Sequence, residues 1–369
     1  MDDRQWMAEA IRTAGSVLGS TWPNPAVGAV LVKDGHCLAR GATQAPGQNH
    51  AEIECLARAG DAARGACLYV TLEPCCHYGR TPPCTDAIIR SGVRRVVYAL
   101  TDPNPLVSGK GAEILASAGI EVRGGVMEEE AMEVVKEFCH FMRSGRPHIT
   151  IKYAMTLDGR LALDNGDAHW ISGEESRACV QLLRKRAQAI ITGGQTIRND
   201  DPRLDYRMAD ASSREGDAWQ PLRVIVTGRG FSPGARLFKQ GGPVLLITSE
   251  DAVRAPDADF GALLQKVEAI ILPKLDMPAV MRALAERGIV SLLAEAGPGF
   301  ITGLIAERLC DQVIAFVAPV LAGGLGLRPL GEIGTERMQD ALRLSGTWKN
   351  FGNDICFQGV PIWNEAPRA

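Results

Sequence analysis

No stretch of the chain approaches the ~18 consecutive apolar residues of a membrane-spanning helix, so neither helical spans nor a membrane partner is expected. The opening residues, MDDRQWMAEA, are acidic and amphipathic, unlike a secretory signal, which makes the cytoplasm the expected location. An excess of either charge is missing too: 40 Lys and Arg against 43 Asp and Glu leave −3, and no basic, aromatic-rich tract stands out. Such a balance gives no general attraction for a polyanion, so nucleic acid is not the expected partner. Tandem repeats and low-complexity tracts are also lacking. Finally, no G-x-G-x-x-G follows a strand-like run, which excludes a dinucleotide fold of the Rossmann type.

What is present describes a soluble globular protein. At 369 residues, 46% of them hydrophobic and 22% charged, the chain is too long for one ordinary domain and suggests two. Seven of its ten cysteines (Cys37, Cys55, Cys67, Cys139, Cys179, Cys310 and Cys356) are scattered through apolar segments, where free cysteine serves as a small buried side chain. A large chain without secretory features does not suggest a disulfide framework. The other three, Cys75, Cys76 and Cys84, crowd into EPCCHYGRTPPC at 73–84.

Apolar spacing predicts an opening helix through Met7, Ala10, Ile11, Ala14, Val17 and Leu18. A buried strand AVGAVLV, an Asp34–Gly35 turn and a return strand near Cys37–Arg40 follow. After these come a helix ending at Gly60, the strand ACLYVTL, a helix from Cys84, the strand RRVVYAL, and a further helix and strand in GAEILASAGIEV. A long helix, acidic at its start and basic at its end, suits the helix dipole and runs to Ser144–Pro147, where the pattern breaks. The second half restarts with HITIKYAMTLDG, and further strands are expected at AQAIITG, PLRVIVTG, GPVLLITS, VEAIIL, IVSLLAE and QVIAFVAPVLAGG. Helices are expected at Glu174–Arg186, Pro278–Arg287 and Phe300–Arg308, and a polar surface loop at YRMADASSREGDAWQ. Alternating strands and helices predict α/β architecture in both halves, with the boundary placing domains at 1–146 and 147–369.

His50 and Glu52 sit in HAE at a helix start, and Cys75 follows a strand 25 residues after the histidine. One imidazole and two thiolates, His50, Cys75 and Cys84, make a three-ligand Zn²⁺ site with its fourth position open to water, the catalytic rather than the closed structural arrangement. Glu52 is close enough to reach that water without being a ligand, the H-x-E…P-C pattern of zinc deaminases. The usual spacing has two residues between the cysteines, and here there are eight. A structural zinc knot completed by Cys76 or His77, and a redox cysteine pair, are the alternatives that the residues leave open.

The intervening loop has a pattern of its own. It resembles the deaminase domain of the bifunctional riboflavin-biosynthesis deaminase/reductase family, whose motif is close to P-C-x-H-x-G-[RK]-T-P-P-C. That resemblance extends to PNPAVG at 23–28 and DPNP at 102–105, and in the second half to KYAMTLDGRLA, HWISG, ITGGQTIRNDDPRLDYR, LLAEAGPGFITGLI and APVLAGG. It implies a cytidine-deaminase-like three-layer N-terminal domain that removes an amino group from a phosphorylated pyrimidine, with one Zn²⁺ per chain. It also implies a dihydrofolate-reductase-like C-terminal domain that reduces the ribosyl group with NADPH, and a homo-oligomer formed through that domain.

Carried over by position, Asn24 and Arg80 ring the deaminase site, Asn24 for a pyrimidine edge and Arg80 for a phosphate. Ala154, Trp170, Thr196, Asp200, Thr227 and the Gly297–Gly303 stretch, with Pro298 and Gly299, would contact NADPH. Ala168, Arg184, Leu204, Arg207 and Glu295 would line the phosphoribosyl substrate, for which two arginines suit the phosphate. Trp170 has a core aromatic as its alternative, and Arg184 a solvated helix face. A base deaminase acting on nucleic acid and a zinc-stabilised scaffold are the rival functions; acidic net charge counts against the first, and loss of fold on chelation would mark the second.

Overall fold

The computed structural model describes residues 1–79, 81–207, 219–239 and 241–363. The chain divides into two compact units, Met1–Gly145 and Arg146–Ala369.

In the first unit, helix α1 (Asp3–Gly15) begins with a reciprocal cap between Asp2 and Gln5, which satisfies donors that the first turn leaves open. It stops at Gly15, before Val17 and Leu18, which the apolar spacing had placed inside it. Strands β1 (Gly28–Lys33) and β2 (His36–Ala42) form a hairpin whose turn residues, Asp34 and Gly35, both have positive φ. Then come α2 (Ala51–Ala59), β3 (Cys67–Leu72), α3 (Cys84–Ser91), β4 (Arg95–Leu100), α4 (Lys110–Ser117), β5 (Glu121–Arg123) and α5 (Glu128–Ser144). The sheet order is β2-β1-β3-β4-β5, antiparallel at β2-β1-β3 and parallel from β3 to β5.

The pleat explains how helices reach both faces. Gly28 pairs with Ala42 and Gly41 with Ala29, so adjacent rungs point to opposite sides. A Cβ at Gly28 would overlap the Ala10 carbonyl of α1, and one at Gly41 the Ala51 carbonyl of α2. Missing side chains thus seat one helix against each face, and β3, buried at every residue, runs between them.

The second unit contains β6 (His148–Thr156), α6 (Glu174–Arg186), β7 (Ala189–Gly193), α7 (Gly194–Asp200), β8 (Leu222–Val226), β9 (Val244–Ser249), α8 (Glu250–Arg254) and α9 (Ala258–Lys266). It continues with β10 (Glu268–Leu272), α10 (Met277–Glu286), β11 (Ser291–Ala294), α11 (Pro298–Ala306), β12 (Gln312–Ala318), β13 (Arg343–Phe351) and β14 (Asp354–Ile362). The strand order is β10-β9-β8-β7-β11-β6-β12-β14-β13, parallel through β12 and then antiparallel. Alternate residues divide between two cores. Ile149, Ile151, Ile191 and Val224 pack with α10 and α11, whereas Ile190, Ile225 and Leu246 pack with α7 and α9. Burial on both faces is why these strands read as continuous apolar runs.

Two expectations need correction. QVIAFVAPVLAGG is a strand only to Ala318, since hydrogen bonds from the backbones of Ala322 and Gly323 to Asp158 hold the remainder as a loop. The hairpin β13–β14 was not expected: β13 is exposed along nearly its whole length, so its sequence has no buried face to alternate. The polar stretch beginning at Tyr206 falls largely at 208–218, outside the described residues.

Candidate active sites

His50 is the residue before α2 and Cys84 the first residue of α3, so two helix starts meet the loop that leaves β3 at Cys75. The His50 Nδ1 lies 3.6 Å from the Cys75 Sγ and 3.3 Å from the Cys84 Sγ. The Cys84 backbone N–H donates to the Cys75 Sγ at 3.3 Å, a contact that favours thiolate. On the far side of the ring, the Thr81 hydroxyl lies 3.5 Å from Nε2, a partner that leaves Nδ1 as the nitrogen facing the thiols. All three ligand atoms fall within 4.8 Å of one another. Cys84 thus returns to the clamp despite the eight residues between it and Cys75. One nitrogen and two sulfurs at this separation fit a tetrahedral zinc ion with one position left over.

The Cys84 thiol, the His50 imidazole and the Cys84 backbone N–H together hold the Cys75 thiol well below its usual range, whereas contact with Cys75 and burial push the Cys84 thiol up. Glu52 is 4% exposed, and burial together with the negative charge of Cys75 pushes its carboxyl up to about 7. A carboxyl in that range can both take and give a proton near neutrality. Asn24 lies in the turn before β1, its backbone N–H donating to the Thr21 carbonyl. Arg80 lies outside the described residues. Cys76 points elsewhere, to the Leu106 carbonyl at 3.7 Å, and does not join the cluster.

Sequence reasoning missed Glu73. Its carboxylate is 2% exposed and accepts from three backbone N–H groups: Asp102 (3.2 Å), Gly109 (2.9 Å) and Ala112 (3.1 Å). An acidic residue at a strand end has no local mark of this, because all three donors come from a segment about thirty or more residues further on.

In the second unit Ala154, Thr196, Thr227, Glu295 and Gly297 lie at or just past the carboxyl ends of parallel strands, where open α/β sheets bind ligands. Ala154 is half-buried near the end of β6, in register with Phe316 of β12. The Thr196 hydroxyl, in α7, accepts from the Gly297 N–H at 3.1 Å, which joins the ends of β7 and β11. Gly297 caps α11, Pro298 is its first residue, and a Cβ on Gly299 would meet nothing within 4 Å. That open first turn of a nine-residue helix fits the phosphate of a nicotinamide cofactor. Gly303, expected in the turn, instead lies inside α11 beside Met277, because Pro298 starts the helix earlier than the glycines suggest.

Thr227 is buried and closes its own turn through Arg229, while Asp200 ends α7 at the surface. Trp170 is 72% exposed with the Arg177 guanidinium over its ring, which excludes the core alternative. Ala168 lies in the same exposed segment.

Glu295, just past β11, forms a bidentate pair with Arg184 of α6 (Nε 2.6 Å, Nη2 2.9 Å), and the Lys152 Nζ of β6 lies 3.6 Å away. Burial alone would raise the Glu295 carboxyl, but the two cations outweigh it and hold it at about 2. Arg184 is thus no solvated helix residue: its Nη1 also donates to the Asp205 carbonyl at 3.0 Å. Leu204 is buried with positive φ, and Asp205 beside it holds both Arg203 and Arg207. Asp158 accepts from the Thr156 hydroxyl and from the backbones of Ala322 and Gly323, which places it as a loop staple.

Comparison with known proteins agrees with this division. Residues 1–100 match the family model of the cytidine and deoxycytidylate deaminase zinc-binding region, and residues 147–357 that of the RibD C-terminal domain. The chain is 40% identical over 358 residues to riboflavin biosynthesis protein RibD of Aquifex aeolicus, covering 96% of this chain and 97% of that one. It is 37% identical over 377 residues to that of Escherichia coli K12, covering 98% and 100%. Among solved structures, Acinetobacter baumannii RibD (form 1) matches with a TM-score of 0.88 at 36% identity, covering 98% of this chain and 99% of that one. A diaminohydroxyphosphoribosylaminopyrimidine deaminase/5-amino-6-(5-phosphoribosylamino)uracil reductase from Thermotoga maritima matches at 0.84 and 33%, with the same coverage.

Proposed function

The chain belongs to the riboflavin biosynthesis protein RibD family and is a bifunctional deaminase and reductase, and from that premise we propose how its residues divide the two reactions. Residues 1–146 deaminate 2,5-diamino-6-ribosylamino-4(3H)-pyrimidinone 5′-phosphate, and residues 147–369 then reduce the ribosyl to the ribityl side chain. The observation that supports the first assignment best is the cluster of His50, Cys75 and Cys84 beside a buried glutamate.

His50, Cys75 and Cys84 would hold one Zn²⁺, which would supply the Lewis acidity that activates a water. Glu52 takes a proton from the attacking water and passes it to the amino group that leaves as ammonia, so C–NH₂ becomes C=O. Burial keeps this carboxyl away from bulk water and able to hold the proton between the two transfers. Asn24 orients the pyrimidine edge, and Arg80 holds the phosphate.

In the reductase unit, NADPH supplies the hydride. Thr196, Gly297, Pro298 and Gly299 at the first turn of α11 hold its phosphates, with Ala154, Trp170, Asp200 and Thr227 along the remainder. Arg184 and Glu295 form the floor of the substrate site, and Leu204, Arg207 and Ala168 line its edge. No helix among the described residues is long and apolar enough to cross a membrane. A cytoplasmic homo-oligomer joined through the reductase unit completes the reading, and the exposed Leu344 and Trp348 on β13 support it.

Mass spectrometry of the diamino substrate incubated with the purified protein tests both halves. Exchange of NH for O without NADPH, then gain of two hydrogens with it, is expected. Glu52→Ala should lower deamination by about 10²–10⁴-fold and leave reduction of the deaminated compound intact. An unchanged deamination rate in that variant would remove Glu52 from the mechanism.

A further inference from the structure

Glu73 has no place in the chemistry above, yet it is, beside Glu52, a second buried carboxylate two residues from a member of the clamp, here Cys75. Its Oε2 accepts from the N–H groups of Asp102 and Gly109, at either end of the loop that contains Asp102–Pro105, and its Oε1 from Ala112 in the first turn of α4. The loop is further organised from within, as Asp102 accepts from the Asn104 N–H and Asn104 from the Leu106 N–H.

Two independent contacts tie the same loop and helix to the zinc-binding segment. The Cys76 Sγ reaches the Leu106 carbonyl, and a Cβ at Gly111 would overlap the Pro74 carbonyl, so α4 sits directly against the residue before Cys75. Asp102 is also close enough to Cys75 and His77 to feel their charges. Glu73 thus makes three of the hydrogen bonds that hold the Asp102–Gly109 loop and the start of α4 beside the metal ligands, without touching those ligands.

We propose that Glu73 is a positioning residue for deamination, fixing the Asp102–Asn104 loop as a wall of the pyrimidine pocket so that substrate affinity depends on it while metal binding and proton transfer do not. This rests on the deaminase reading of the site. Gln at position 73 can keep one oxygen for two of the N–H donors but turns an NH₂ toward the third, and Ala keeps none. The expected order of KM for deamination is therefore wild type, then Glu73→Gln, then Glu73→Ala, with rises of roughly tenfold and more than thirtyfold, and with kcat within threefold.

The test uses the full chain loaded with zinc, and with Co²⁺ in parallel to report the thiolate-to-metal absorption. Unchanged metal content and Co²⁺ spectrum beside the graded KM would support the proposal. Falling kcat at constant KM, or loss of the Co²⁺ spectrum in Glu73→Gln, would overturn it, because Glu73 would then act through the clamp. If Glu73→Ala fails to fold, Gly111→Ala displaces the same helix without altering charge, and it must raise KM likewise or the proposal fails. A wild-type protein that binds zinc but does not deaminate would instead sink the underlying reading, an outcome separable from the variant results.

Discussion

Replacing Arg184 with Met should destabilise the second unit by about 3 kcal/mol at pH 7, and the loss should shrink as the solution is acidified. Arg184 and Glu295 are 11% and 9% exposed at their side chains and share two hydrogen bonds, at 2.6 and 2.9 Å. Removing one member of such a pair leaves a buried charge and typically costs 3–5 kcal/mol. Lys152, 3.6 Å from the same carboxylate, remains as a partial partner and sets the expectation at the low end.

The sign of the pH effect follows from the carboxyl. Its value falls from 4.5 to about 2 on folding, equivalent to about 3 kcal/mol of stability that is present above 4.5 and lost as pH drops toward 2. The variant depresses the carboxyl less, so the two proteins converge across that window. Urea denaturation followed by hydrogen exchange of β7 and β11 peptides reports the second unit, and taking the difference from wild type cancels whatever else titrates in both proteins. A penalty below about 1 kcal/mol at pH 7, or one that does not diminish between pH 4.5 and pH 2, would refute the reasoning.

Removal of zinc with a chelator should abolish deamination while reduction of the deaminated compound and the circular dichroism of the chain persist; unfolding in step with metal loss would mark the site as structural. Gly28→Ala should cost the first unit about 2 kcal/mol, because the new methyl group meets the Ala10 carbonyl and Ala14 nitrogen of α1, neither of which can rotate away. A thermal melt of that unit unchanged from wild type would show that α1 is free to shift.

Much of the chemistry can be read locally. His50, Cys75 and Cys84 are recognisable as a cluster able to hold a metal because such ligands must be particular residue types at helix starts and strand ends, which have their own marks, and Glu52 stands out by its spacing from His50. Strands buried on both faces, such as β3, β7 and β11, are equally plain as short apolar runs. The β13–β14 hairpin is not, since an exposed strand needs no apolar alternation and its register comes from β12 beside it.

Residue type and spacing within short segments are enough to read the two α/β units, the candidate ligands His50, Cys75 and Cys84 and the order of the motifs, whereas the structure is what sets Cys76 apart from that cluster. Only the tertiary structure decided that Glu73 spans to Asp102, Gly109 and Ala112, that Arg184 spends its guanidinium on Glu295, and that Thr196 meets Gly297. Those partners lie from 29 to 111 residues apart along the chain. A hydrogen bond between groups so far removed depends on which strands become neighbours, and that order is set by the packing of whole faces rather than by either partner's local sequence.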